Sequence, residues 1–157
     1  MRYAGALFVV CAVASLASCT PGAPAPPSGS QGAVPGAVII NVSLLTYAPK
    51  PSVNGTVAGY SSDTLTVPVG TVIQFHNQDS FTHTGSFLGT HGFPSGDPLT
   101  NQARTRSGTD VSQAGWSTGD LSPNSYSQPL TASKAGTYYY GCFFHYQTPM
   151  RGWITVR

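Results

Sequence analysis

Apolar residues in this chain recur mostly at every second position and in short bursts. In residues 71–77, Ile73 and Phe75 alternate with Gln74 and His76, which predicts a strand with one buried face. Tyr138, Tyr140 and Cys142 share a face of residues 137–142, and Ile154 and Val156 share one of residues 153–157. Residues 37–47 are apolar and β-branched, and residues 64–69 are Thr/Val-rich and end at a turn on Gly70. Residues 83–88 and 128–133 read as two more strands, the second running into the turn Lys134-Ala135-Gly136. Strands this short, separated by turns, predict an antiparallel sandwich. Residues 89–115 are polar, rich in Gly, Ser, Thr and Asn, and without a period, so they are expected to form a loop insertion.

Composition agrees with an all-β reading. Gly (18) and Pro (13) are plentiful, Glu is absent, and only 8% of residues are charged. The net charge of +2 comes from scattered basic residues, which argues against a nucleic-acid partner. Nothing in the pattern calls for an oligomer, so a monomer is expected.

The N-terminus follows different rules. Arg2 precedes an apolar run from Ala4 to Ala17, short for a membrane span and suited to a secretory signal over residues 1–18. The run ends in Leu16-Ala17-Ser18-Cys19, which resembles the bacterial lipobox. That resemblance implies cleavage before Cys19 and lipidation of its thiol, with the protein held to a membrane in the periplasm or at the cell surface. Residues 19–36 are Pro, Gly, Ala and Ser with almost no apolar bulk, so they read as a tether. The folded domain is then expected over residues 37–157.

Export sharpens the cysteine count. Of three cysteines, Cys11 leaves with the signal and Cys19 takes the lipid, so Cys142 is left unpaired. Exported cysteines are normally paired, and a lone thiol in an oxidising compartment needs a reason, of which metal coordination is a good one. Cys142, His145 and Met150 follow one another as Cys-x2-His-x4-Met between two strands. Thiolate, imidazole and thioether on one tight loop suit copper, and a His2Cys plane with a weak axial Met requires a second histidine. The segment from Val69 to Phe87 supplies His83.

These two segments resemble the plastocyanin group of cupredoxins, bacterial members especially. The first matches an apolar strand, an Asn, a short turn and the first ligand histidine. The second, Gly136-Thr-Tyr-Tyr-Tyr-Gly-Cys142-Phe-Phe-His145-Tyr-Gln-Thr-Pro-Met150-Arg-Gly152-Trp-Ile154-Thr-Val156, matches the ligand hairpin position by position. Residues 116–127 resemble the segment before that hairpin. The resemblance implies an eight-stranded Greek-key β-sandwich with a long loop insertion and one type 1 copper. His83 and His145 would be its imidazole ligands, Cys142 its thiolate and Met150 its axial thioether. Plant plastocyanins have an Asn that braces the ligand loops at the position of Thr84, so this chain departs from the pattern there, and the Thr84 hydroxyl is the group that could supply such bracing.

Function follows as expectation. Four protein ligands leave no open position for a substrate, so no catalysis is expected. The simplest reading is an electron carrier that cycles Cu(I)/Cu(II) between redox proteins of cytochrome or oxidase type. Its exchange surface would be the edge of His145, with Phe143, Phe144, Tyr146 and Pro149 as an apolar docking patch. A copper-handling or storage protein is the alternative, and a non-metal interaction module a third. His76 lies opposite Ile73 and Phe75 and reads as a surface or second-layer residue, and His91 as exposed in the insertion. Tyr138 and Tyr140 read as core.

Overall fold

The structure is a computed structural model and describes residues 31–157. The signal, Cys19 and most of the tether lie outside the described residues. Eight strands form in chain order: β1 (Val38–Val42), β2 (Tyr60–Ser61), β3 (Thr64–Val67), β4 (Val72–Asn77), β5 (Ser86–Gly89), β6 (Leu130–Thr131), β7 (Gly136–Gly141) and β8 (Arg151–Val156). They make two four-stranded sheets, ordered β2-β1-β4-β6 and β3-β8-β7-β5. The chain crosses repeatedly between the two sheets, and only β1–β2 and β7–β8 are sequential neighbours within one.

The sheets are mixed, not purely antiparallel as the short strands predict. β1 runs parallel to β4, and β3 runs parallel to β8. Parallel neighbours need long crossover connections, which here pass between the sheets. Local periodicity carries no information about such non-sequential pairing.

The period-2 pattern does place the core. Ile40 and Val42 of β1, Ile73 and Phe75 of β4, Tyr138 and Tyr140 of β7, and Ile154 and Val156 of β8 meet in one cluster with Trp116, Leu121 and Leu130. Each fully buried aliphatic or Phe side chain contributes about 1.5–3 kcal/mol relative to exposure. Tyr60, Phe75 and Tyr140 pack edge to face, with centroids 4.9–6.0 Å apart. The alternate residues Tyr139 and Trp153 face outward, yet they are buried too. Val57, Leu88 and Phe93 cover them in a second, smaller cluster.

Gln74 departs from its expected place on an open face. It is fully buried, because the segment just before β1 lies over it. Its side chain accepts from the Val34 N–H (2.6 Å) and donates to the carbonyls of Gly32 (3.3 Å) and Ser127 (2.9 Å). The residues read as the end of the tether therefore lie along β4. His76 lies on the same outer face, stacked on Tyr126 with ring centroids 4.1 Å apart.

The expected insertion is a loop, with one 3-10 helix, Asn101–Arg104, capped by the Thr100 side chain. His91 within it is exposed.

Candidate metal centre

The four predicted ligands come from two places at one end of the sandwich. His83 sits between β4 and β5 and is tied to Leu121 by reciprocal backbone hydrogen bonds (3.2 and 2.8 Å). Cys142 follows β7 directly. The loop from Cys142 to Met150 is closed by the Cys142 N–H to the Met150 carbonyl (3.0 Å) and by the Met150 N–H to the His145 carbonyl (3.2 Å). Paired strands thus hold both ends of the loop, and His145 sits at its turn.

The donor atoms converge. One ligand atom each from His83, Cys142 and His145 lie within 4.8 Å of one another. Cys142 Sγ is 3.7 Å from His83 Nδ1 and 3.6 Å from His145 Nδ1. A first-row metal with bonds of about 2.3 Å to sulfur and about 2.0 Å to nitrogen would separate those donors by about 3.7 Å in a trigonal plane. The spacing fits such a metal, so His83, Cys142 and His145 could together hold one copper ion. Met150 and Cys142 are both fully buried. At Gly59, a Cβ would come within 2.5 Å of Met150 Cγ, so the backbone opposite the thioether approaches as closely as glycine allows.

The electrostatics suit a buried metal. Burial pushes the Cys142 thiol up, partly offset by hydrogen bonds from Thr84 and from the Phe144 and His145 backbone. Burial pushes the His83 imidazole down, against Asp79. Burial and then the charge of His83 push His145 down. Burial thus disfavours charge on both imidazoles and on the thiol, and a metal taken up by the Cys142 thiolate would displace its proton.

Thr84, which stands where the plant pattern has Asn, ties the two segments together. Its Oγ1 accepts from the Phe143 N–H (2.9 Å), and its own N–H points at Cys142 Sγ (3.4 Å). The hydroxyl thus joins the His83 segment to the loop carrying Cys142. Tyr60 adds a further tie by donating its hydroxyl to the Thr84 carbonyl (2.5 Å).

The predicted docking patch is brought together only in part. Phe144 is exposed (38%), and Phe143, Pro149 and His145 are half-buried. Tyr146 is not part of the patch. It is buried, with its hydroxyl donated to the Pro94 carbonyl (2.9 Å), because the insertion folds over it. Phe81, which the sequence pattern does not single out, packs against both His83 and His145 (centroids 4.8 and 5.6 Å) and joins the rim.

Several residues at the site carry no signal in the ligand motif. Arg151 lies over the rings of Phe93 (4.7 Å) and Tyr146 (5.4 Å) and donates to the Thr56 carbonyl. Arg104 of the 3-10 helix lies 5.3 Å from the Phe144 ring centroid and pairs with Asp120 (2.9 Å). Asp79 is buried and 2.8 Å from His83 Nε2. Its place two residues beyond Asn77 and four before His83 is the only trace of it in the sequence.

No protein-family model and no curated protein matches the chain. Solved structures do. A reduced amicyanin mutant and the Cu(I) form of another each superpose with a TM-score of 0.51 at 19% identity, over 80% of this chain and 86% of theirs. An oxidised amicyanin mutant superposes with a TM-score of 0.50 at 21% identity over the same shares. The chain has the cupredoxin fold.

Proposed function

We propose that this protein is a type 1 blue copper protein that carries single electrons between redox partners. The observation that carries this reading is the convergence of His83 Nδ1, Cys142 Sγ and His145 Nδ1 beside a buried Met150. Copper supplies one-electron chemistry when bound. The chain supplies three converging donors beside a buried Met150, and Thr84 ties the two donor-bearing segments together. A closed donor set and fixed geometry suit electron transfer and leave no room for a substrate.

His145 is the donor nearest solvent, and its half-buried ring offers the route for electrons. Phe81, Phe144 and Pro149 frame it with apolar surface on which a redox protein of cytochrome or oxidase type would dock. We assign the protein to the outer face of the cell membrane, in the periplasm or beyond, anchored by lipid on Cys19.

Purified protein mixed with Cu(II) should bind one ion and turn intensely blue, and mild reductant should bleach it reversibly. Cys142→Ser should abolish the colour. A colourless complex with full copper uptake would refute the type 1 reading, and rapid loss to chelators with sluggish electron transfer would favour copper storage. Cys19→Ala should move the protein from the membrane to the soluble fraction, and an unchanged distribution would refute the anchor.

A further inference from the structure

We propose that Asp79 is a positioning residue that orients His83 and lowers the reduction potential of the copper centre. The inference rests on the copper reading above and adds to it a residue outside the ligand set.

Both partners are buried. The His83 side chain is 0% and the Asp79 side chain 1% exposed, and Nε2 lies 2.8 Å from Oδ2. The same imidazole turns Nδ1 toward Cys142 Sγ. An imidazole that donates Nε2–H to a carboxylate must keep Nδ1 free as the ligating nitrogen, so the carboxylate selects the tautomer and fixes the ring plane.

Asp79 is itself held in place. Oδ1 accepts from Ser43 Oγ (2.5 Å) and Oδ2 from the Leu44 N–H (2.8 Å). Its backbone N–H donates to Asn77 Oδ1 (3.0 Å), and Asn77 Nδ2 in turn donates to the carbonyls of Phe81 (2.8 Å) and Leu121 (2.9 Å). A run of alternate residues, Asn77, Asp79, Phe81 and His83, is thereby tied to the turn just after β1 and to the segment before the ligand hairpin. Among the described residues, no Lys or Arg pairs with Asp79.

The charge count gives the sign. Reduction adds one electron and no proton to a site whose protein ligands keep their charges, one thiolate and neutral imidazoles. With the thiolate, the copper group carries one positive charge when oxidised and none when reduced. A buried carboxylate one imidazole away attracts the first and not the second. It therefore favours Cu(II), and the reduced protein becomes the stronger electron donor. Removing a carboxylate that orients a metal-bound histidine typically costs about tenfold or more in metal affinity. Here that loss should fall mainly on Cu(II).

Asp79→Asn tests this with little disturbance. The amide oxygen can still accept from His83, and the amide nitrogen can donate to Ser43 Oγ, so packing is kept and the charge goes. The Cu(II)/Cu(I) equilibrium should shift toward Cu(I) by about tenfold, a rise of about 59 mV for one electron. Chelator competition should show Cu(II) affinity falling by that factor and Cu(I) affinity holding. Ser43→Ala should act with opposite sign. It strips one donor from the carboxylate, concentrates its charge toward His83 and lowers the potential. A residue that merely supports the loop would move both variants the same way.

The proposal is overturned if Asp79→Asn leaves the potential within twofold of the wild-type equilibrium, or if both variants shift it in one direction. Should Asp79→Asn fail to fold, the sign of the Ser43→Ala shift decides alone. If wild-type protein gives no blue copper form, the copper reading itself has failed, a distinct outcome.

Discussion

The Thr84 hydroxyl is a single group that joins both ligand-bearing segments, so its removal has a calculable cost. Thr84→Val keeps the shape of the side chain and removes the acceptor for the Phe143 N–H, 2.9 Å away. Thr84 is fully buried, so water does not readily replace the lost partner. Ser86 Oγ also loses a contact at 3.3 Å but keeps Ser117 Oγ at 2.8 Å, so its share is small. The expected cost is that of one stranded buried donor, about 1–3 kcal/mol. For a domain of this size that lowers the melting temperature by roughly 4–12 °C. Thr84→Ser separates the bond from the packing. It keeps the acceptor and loses a buried methyl, costing about 0.8 kcal/mol. The assay is thermal unfolding of both copper-free variants, together with hydrogen exchange at the Phe143 amide. Protection of that amide should fall about tenfold per 1.4 kcal/mol in Thr84→Val and hold in Thr84→Ser. Unchanged Phe143 protection in Thr84→Val, with melting within 2 °C of wild type, would show that the hydroxyl does not brace the loop.

Other outcomes follow from the same contacts. Gly59→Ala puts a side chain on backbone at φ 74° and its Cβ within 2.5 Å of Met150 Cγ, so denaturant unfolding should show a loss of about 2–5 kcal/mol and the blue band should shift as Met150 is displaced. Tyr146→Phe removes the hydrogen bond to the Pro94 carbonyl and should cost about 0.5–1.5 kcal/mol while hastening copper loss to a chelator; equal release rates would separate the insertion from the ligand loop. Burial alone would raise the Asp110 carboxyl, but hydrogen bonds from Ser133 and Ser112 outweigh it and hold the folded-state value below the ordinary one. Its contribution is therefore present above about pH 4 and is lost as pH falls through the folded value, so the melting gap between wild type and Asp110→Asn should be constant above about pH 5 and close in stronger acid.

What the sequence made legible divides along the range of the forces involved. The alternation of Ile73 with Phe75, and of Tyr138 with Tyr140 and Cys142, is local, and those residues reach the core as expected. The ligand register is also local, since Cys142, His145 and Met150 occupy one hairpin. The burial of Gln74 is not local, because it depends on a segment about forty residues away, whose Val34 N–H donates to its side chain. The burial of Tyr146 is likewise non-local, since its apolar surface reads as docking patch and is covered only by the insertion. Asp79 carries no local signal, because a short acidic residue in a turn looks like an Asx turn and nothing nearby reveals that His83 closes on it.

The insertion matters most where the motif is silent. Phe93 covers Tyr139 and Trp153, which would otherwise leave the outer face of the β7–β8 pair open, and Pro94 and Arg104 reach the ligand loop itself. Arg151 closes the set by lying over both Phe93 and Tyr146 at the start of β8, directly after Met150. The loop between Cys142 and Met150 is thus gripped from the sheet by β7 and β8, from within by Thr84, and from outside by residues 89–115. A loop held on three sides has little freedom to rearrange, and the proposed one-electron exchange would require only a small rearrangement. His145 alone of the four predicted ligands is half-buried and not buried, so on the proposed reading it is the donor a partner could approach.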